Sequence, residues 1–111
     1  MKIKRTWVLL KVIFGKDGMQ EERVLEILNL YTEFFKEMGI KPSQYPLDIM
    51  SDTKEKCLSH CYSMIPEMKI FLAEGKREKT FRWLGFIQGV LWSYKIYSIM
   101  GLMIHNRPVK K

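Results

Sequence analysis

An all-α fold, an antiparallel bundle of three main helices closed by a short C-terminal helix, is predicted by three observations on the sequence. Apolar residues recur at three- and four-residue spacing over most of the chain after residue 18. Glycines stand where that spacing stops, at Gly39 and Gly75, and three of the four prolines, Pro42, Pro46 and Pro108, lie outside the periodic stretches. With 111 residues, 47% of them hydrophobic, the chain reads as a single domain over residues 1 to 111. An aromatic content of 13% with eight methionines supplies the large apolar groups that a disordered chain lacks.

The first segment fits this pattern least well. Residues 3 to 14 mix β-branched and aromatic types without a clear period, so residues 1 to 18 could form a strand or an arm. Met1-Lys2-Ile3-Lys4-Arg5 before the apolar run Trp7 to Phe14 imitates a signal peptide. Lys11 interrupts that run and no small-residue cleavage site follows, so the segment is expected to belong to the fold.

The clearest helix starts at Asp17 or Gly18, with Gln20, Glu21 and Glu22 suited to its exposed amides and dipole. Val24, Ile27, Leu28, Tyr31, Phe34, Phe35 and Met38 form its apolar face. Gly39 ends it, and Pro42 and Pro46 predict an extended connection over Ile40 to Met50.

The second helix is expected to be capped by Ser51 or Asp52, with Glu55 completing a capping box from Asp52. Leu58, Cys61, Tyr62, Ile65, Met68 and Leu72 form its stripe, and Gly75 ends it. Pro66 lies inside the pattern, which predicts a kink or a break near Ser63 to Ile65.

A third helix runs from Lys76 or Arg77 to Lys95. Phe81, Leu84, Ile87, Gln88, Leu91 and Trp92 lie on one side, and Trp83, Phe86, Val90 and Tyr94 on the other. That distribution predicts a central helix packed all round. Ser98 is positioned to cap a last short helix bearing Ile99, Leu102 and Met103, which Pro108 stops.

The formal net charge is +7, which favours phosphate-rich or acidic partners and equally serves solubility. No segment reaches the roughly 20 apolar residues that span a bilayer. Cys57 and Cys61, at helical spacing in an apolar stretch, fit a reducing, intracellular setting better than a disulfide framework.

Three constellations are candidates for function. Gly85, Gly89 and Ser93 make a strip of small residues on the third helix; the expectation is close helix packing, with a ligand, a partner backbone or a second subunit as alternatives. Cys57, His60 and Cys61, with His105 as a fourth group, share a helix face but lack zinc-type spacing, so buried cysteines are expected and neither a metal nor a cofactor. Lys76, Arg77, Lys79 and Arg82 crowd a helix start whose dipole is already positive, which makes them, together with Arg107, candidates for binding an anion or a partner. A solvated basic turn, neutralised in part by Glu74 and Glu78, is the structural alternative. Phosphate-loop, GxSxG and HExxH patterns are absent from the sequence, and no carboxylate pair stands out, so an enzyme ranks behind a binding protein.

The stretch Arg82-Trp83-Leu84-Gly85-Phe86-Ile87-Gln88-Gly89-Val90-Leu91-Trp92 carries the pattern RWLGFIQGxLW. Together with Arg77 to Phe81 before it and Ile96 to Pro108 after it, this half of the chain resembles a family of small uncharacterised proteins of tailed bacteriophages. The family pattern is more polar where this chain reads Met100 to Ile104 and has no counterpart to residues 1 to 18. The resemblance implies action in the host bacterial cytoplasm by binding a host protein, a nucleic acid or a signalling molecule. The leading expectation is therefore a non-enzymatic phage binding protein acting on a host component. Direct nucleic-acid or nucleotide binding through Lys76, Lys79, Arg82 and the tail Arg107, Lys110 and Lys111 is the alternative. A small enzyme is third.

Overall fold

A computed structural model describes residues 21–45 and 53–107. The predicted N-terminal strand or arm, the helix start at Asp17 or Gly18, the caps Ser51 and Asp52, and the tail from Pro108 lie outside them. The apolar periodicity resolves among the described residues into four helices: α1 Glu21–Glu37, α2 Lys54–Ala73, α3 Arg77–Ser93 and α4 Ile99–His105. The fold is all-helical, three main helices with a short fourth, as the spacing predicts.

Val24, Ile27, Leu28, Tyr31 and Phe35 turn the buried face of α1 inward. They meet Leu58, Cys61, Ile65, Met68 and Leu72 from α2, and Leu84, Ile87 and Leu91 from α3. Fully burying an aliphatic or aromatic side chain of this size contributes about 1.5–3 kcal/mol, so this one cluster carries the fold. Met38, expected on the stripe, is exposed, because the helix has ended before it.

The helix ends explain the sharp reversals. Gly39 and Gly75 have φ of 72° and 76°, in the left-handed region that glycine enters without steric cost. The amide one residue later reaches back to close the helix end, Ile40 N to Phe35 O at 2.9 Å and Lys76 N to Phe71 O at 2.8 Å. The third end is made the same way without glycine: Lys95 takes φ 61°, and Ile96 N bonds Leu91 O at 2.9 Å.

Two local expectations are corrected. The α2 cap is Thr53, whose extended backbone lets its hydroxyl accept from Lys56 N at 3.1 Å, so Glu55 falls one position short of the capping-box site. Pro66 does not break α2, which runs through it. The ring lies on the exposed side, where water can take the Tyr62 carbonyl that lost its donor. At α4 the expectation holds, since the Ser98 side chain accepts from Gly101 N at 3.0 Å.

The third helix is not packed all round. Phe86 and Trp92 are 54% and 52% exposed, and the inward positions include Thr80 and Gln88. Thr80 is accommodated because its hydroxyl donates to Lys76 O at 2.8 Å within the helix. Gln88 is accommodated by a network that reaches α1 and α4.

Candidate functional site, a cleft between the second and third helices

α2 and α3 form a hairpin across Glu74, Gly75 and Lys76. Beside their shared core they enclose an open cleft of about 590 Å3, a volume within the usual range for small-molecule sites. From α2 come His60, Ser63 and Glu67, spaced so that they share a helix face. From α3 come Arg82, Trp83 and Phe86, with Met64 lying deeper. Gln44 and Tyr45 complete the rim. Their segment is tied to α2 by Ser43 N donating to Ser59 O at 3.1 Å and by the Gln44 amide donating to Glu67 Oε1 at 3.3 Å.

The walls are aromatic. The His60 ring stands 6.4 Å from Phe86, nearly perpendicular to it, and 6.2 Å from Tyr45. Trp83 packs edge-on against Phe71 at 4.8 Å, which steadies the indole from behind. His60 Nδ1 is buried and has no hydrogen-bond partner among the described residues. A buried nitrogen without a partner costs about 1–3 kcal/mol. The Ser63 hydroxyl spends its proton on His60 O at 2.6 Å and keeps its lone pairs.

The cations of the basic turn divide. Lys76, Lys79 and Arg82, at three-residue steps, follow one face of α3 towards the cleft. Lys79 Nζ lies 4.3 Å from the Phe71 ring centre and 5.9 Å from that of Trp83. Lys76 Nζ lies 5.8 Å from Phe71 and pairs with Glu74 at 3.3 Å. Exposed cation–π contacts of this kind contribute about 0.5–1 kcal/mol each and hold the chains along the ridge. Arg82 lines the cleft itself and has no ion-pair partner among the described residues. Arg77 leaves the ridge and covers the Phe81 ring at 5.0 Å. Arg107 is exposed beyond α4 and lines neither this cleft nor the second hollow.

The small-residue strip stands clear of the other described helices. Among the described residues, no atom outside the local backbone of α3 lies within 4 Å of a Cβ built at Gly85 or Gly89, so no described helix rests on them. Ser93 is exposed and donates to Val90 O at 2.8 Å. The two glycines instead border a shallow apolar hollow of about 120 Å3 between α3 and α4, with Trp92, Ile99, Leu102 and Met103.

The cysteines are packing groups. Cys61 is buried, and loss of solvent, with Cys57 beside it, pushes its thiol up to about 12, so it stays protonated. The Tyr94 hydroxyl donates to Cys57 Sγ at 3.3 Å. Among the described residues there is no group of three His, Cys, Asp or Glu side chains arranged to hold a metal, and no helix is long and apolar enough to cross a membrane.

A buried polar network lies away from the cleft. Gln88 Nε2 donates to Tyr31 Oη at 3.0 Å and to Asn106 Oδ1 at 2.7 Å. Tyr31 Oη is 3.0 Å from His105 Nδ1, and Arg23 Nε donates to His105 O at 2.6 Å. Burial raises the Tyr31 hydroxyl pKa, so it remains a donor, and burial followed by the Arg23 charge lowers that of His105. Neutral His105 then accepts the Tyr31 proton at Nδ1. The network fastens α4 to α1 and α3 rather than opening to a ligand.

The cleft was not anticipated from the sequence as a site, apart from Arg82. Its signal lay in His60, Ser63 and Glu67, a polar line at steps of three and four beside the apolar stripe of α2. No family model, curated protein or solved structure matches the chain.

Proposed function

We propose that this chain is a non-enzymatic binding protein that takes up a component of a bacterial host in the cleft between α2 and α3, acting in the host cytoplasm as a phage-encoded factor. The observation that carries the reading is the cleft itself. It combines aromatic walls with the Arg82 guanidinium, the His60 ring and the Glu67 carboxylate. Concave, mostly apolar surface with a few convergent polar groups is the usual form of a ligand site. The phage part of the reading rests on the resemblance of Arg82 to Trp92 and its flanks.

The test is capture from bacterial extract followed by mass spectrometry of everything retained, small molecules and proteins together, with Phe86→Ala beside the wild type. Phe86 is exposed, so its truncation spares the core. One stoichiometric component retained by the wild type and lost from the variant is the expected result. Equal retention by both would remove the cleft from the reading.

The row Lys76, Lys79 and Arg82 favours a second reading, in which a nucleic-acid backbone lies along α3. Retention of DNA or RNA that falls steeply with salt and is unaffected by Phe86→Ala would select it.

A further inference from the structure

We infer that the α2–α3 cleft is a site for a free nucleotide, the base lying between the aromatic walls and the phosphate meeting Arg82 at the rim. This rests on the reading of the cleft as the binding site and adds the chemical class of its occupant.

Three independent features point to that class. The first is shape and surface. A cleft of about 590 Å3 walled by Trp83, Phe86, Tyr45 and His60 suits one planar ring system with a polar appendage. Phe86, 54% exposed, offers a base a stacking face that no other described residue covers fully.

The second is the placement of charge. Arg82 presents planar donors at the rim without an ion-pair partner among the described residues, and a phosphate matches that fork. Lys79 and Lys76 follow outward on the same face, held over Phe71, so positive potential rises along the approach to the cleft. Anion and ring binding are thus adjacent within about two turns of α3, at Lys79, Arg82, Trp83 and Phe86.

The third is the set of groups placed for a heterocycle's edge. The His60 ring stands in the cleft wall, 6.4 Å from Phe86 and 6.2 Å from Tyr45. Glu67 accepts from Gln44 through Oε1, which leaves its other oxygen for a ring N–H or exocyclic amine. Ser63 adds acceptor lone pairs, its proton being committed to His60 O. Nucleobases carry ring nitrogens and, in three of the four common cases, an exocyclic amine. A simple aromatic acid would satisfy Arg82 and leave this edge unanswered.

Isothermal titration calorimetry with AMP, GMP, CMP and UMP, their nucleosides, inorganic phosphate and a ten-residue single-stranded oligonucleotide tests the inference. At least one monophosphate is expected to bind with a Kd below about 1 mM and about tenfold more tightly than its nucleoside. Arg82→Gln should abolish that tenfold difference, and Phe86→Ala should weaken nucleotide and nucleoside alike. Both residues are exposed, and circular dichroism of each variant checks that the helices persist. Failure of all four monophosphates, with extract capture still sensitive to Phe86→Ala, overturns the nucleotide class and leaves the cleft as the binding site. Failure of both overturns both. Tight binding of the oligonucleotide with none of the monophosphates also overturns the inference, in favour of a strand along α3.

Discussion

Gln88 of α3 and Asn106, just beyond α4, exchange both amide hydrogen bonds: Gln88 Nε2 donates to Asn106 Oδ1 at 2.7 Å, and Asn106 Nδ2 donates to Gln88 Oε1 at 3.0 Å. Both side chains are buried, so each satisfies polar atoms that water cannot reach. Gln88→Leu keeps the volume but takes from the Asn106 amide both of its bonds to Gln88 and removes a donor from Tyr31. The expected loss is about 1–3 kcal/mol, read as a lower denaturant midpoint. Hydrogen exchange should show α4 opening before the core helices.

His105 makes stability depend on pH. Its folded pKa is lowered by burial and then by Arg23, from an ordinary value of 6.5. The unfolded chain therefore takes up the proton first as pH falls, and the stability present above about 6.5 is lost progressively below it, until the lower folded value is reached. Protonation also removes the acceptor that Tyr31 Oη uses. The melting temperature of the wild type should fall between pH 7 and pH 5 more steeply than that of His105→Gln. Parallel pH profiles would show that the ring titrates without regard to the fold.

Lys95 holds a left-handed backbone, φ 61°, at the end of α3 where α1 and α2 use glycine. The strain against its Cβ exceeds the entropy that glycine would lose on folding, so Lys95→Gly should stabilise by about 0.5–1 kcal/mol. Chemical denaturation of the two proteins side by side checks the sign.

Gly85 and Gly89 cost helix propensity without receiving a neighbour among the described residues. Gly89→Ala is accordingly expected to raise stability by up to about 1 kcal/mol, and Gly85→Ala by a similar amount. This reverses what close helix packing over the strip would produce. A fall in melting temperature for either alanine variant would show that another surface rests there, and sedimentation would tell whether it is a second copy.

Helix existence, type and most ends were legible because the information is local. Apolar spacing, Gly39, Gly75 and the Ser98 cap each act within a turn or two of their own position. Which face of α3 is buried was not legible. Its apolar residues cover both sides, and the choice depends on Gln88 finding Tyr31 and Asn106, 57 and 18 positions away. Trp92 and Phe86 are consequently outside, where their size predicts burial. At the site, the charge cluster led to Arg82 but not to its company. Tyr45 reaches His60 and the cleft only because the segment after α1 folds back onto α2, a pairing that no spacing records.

The turn through Gly75 and Lys76 joins the two walls of the cleft with almost no intervening chain. Closing so short a loop costs little entropy, so the hairpin of α2 and α3 is the cheapest tertiary contact available to the unfolded polypeptide. The two walls of the cleft are then the described helices with the shortest connection between them. During synthesis, α1 emerges before either wall and has to wait for both; Ser63, Arg82 and Phe86 can face one another as soon as α3 has left the ribosome.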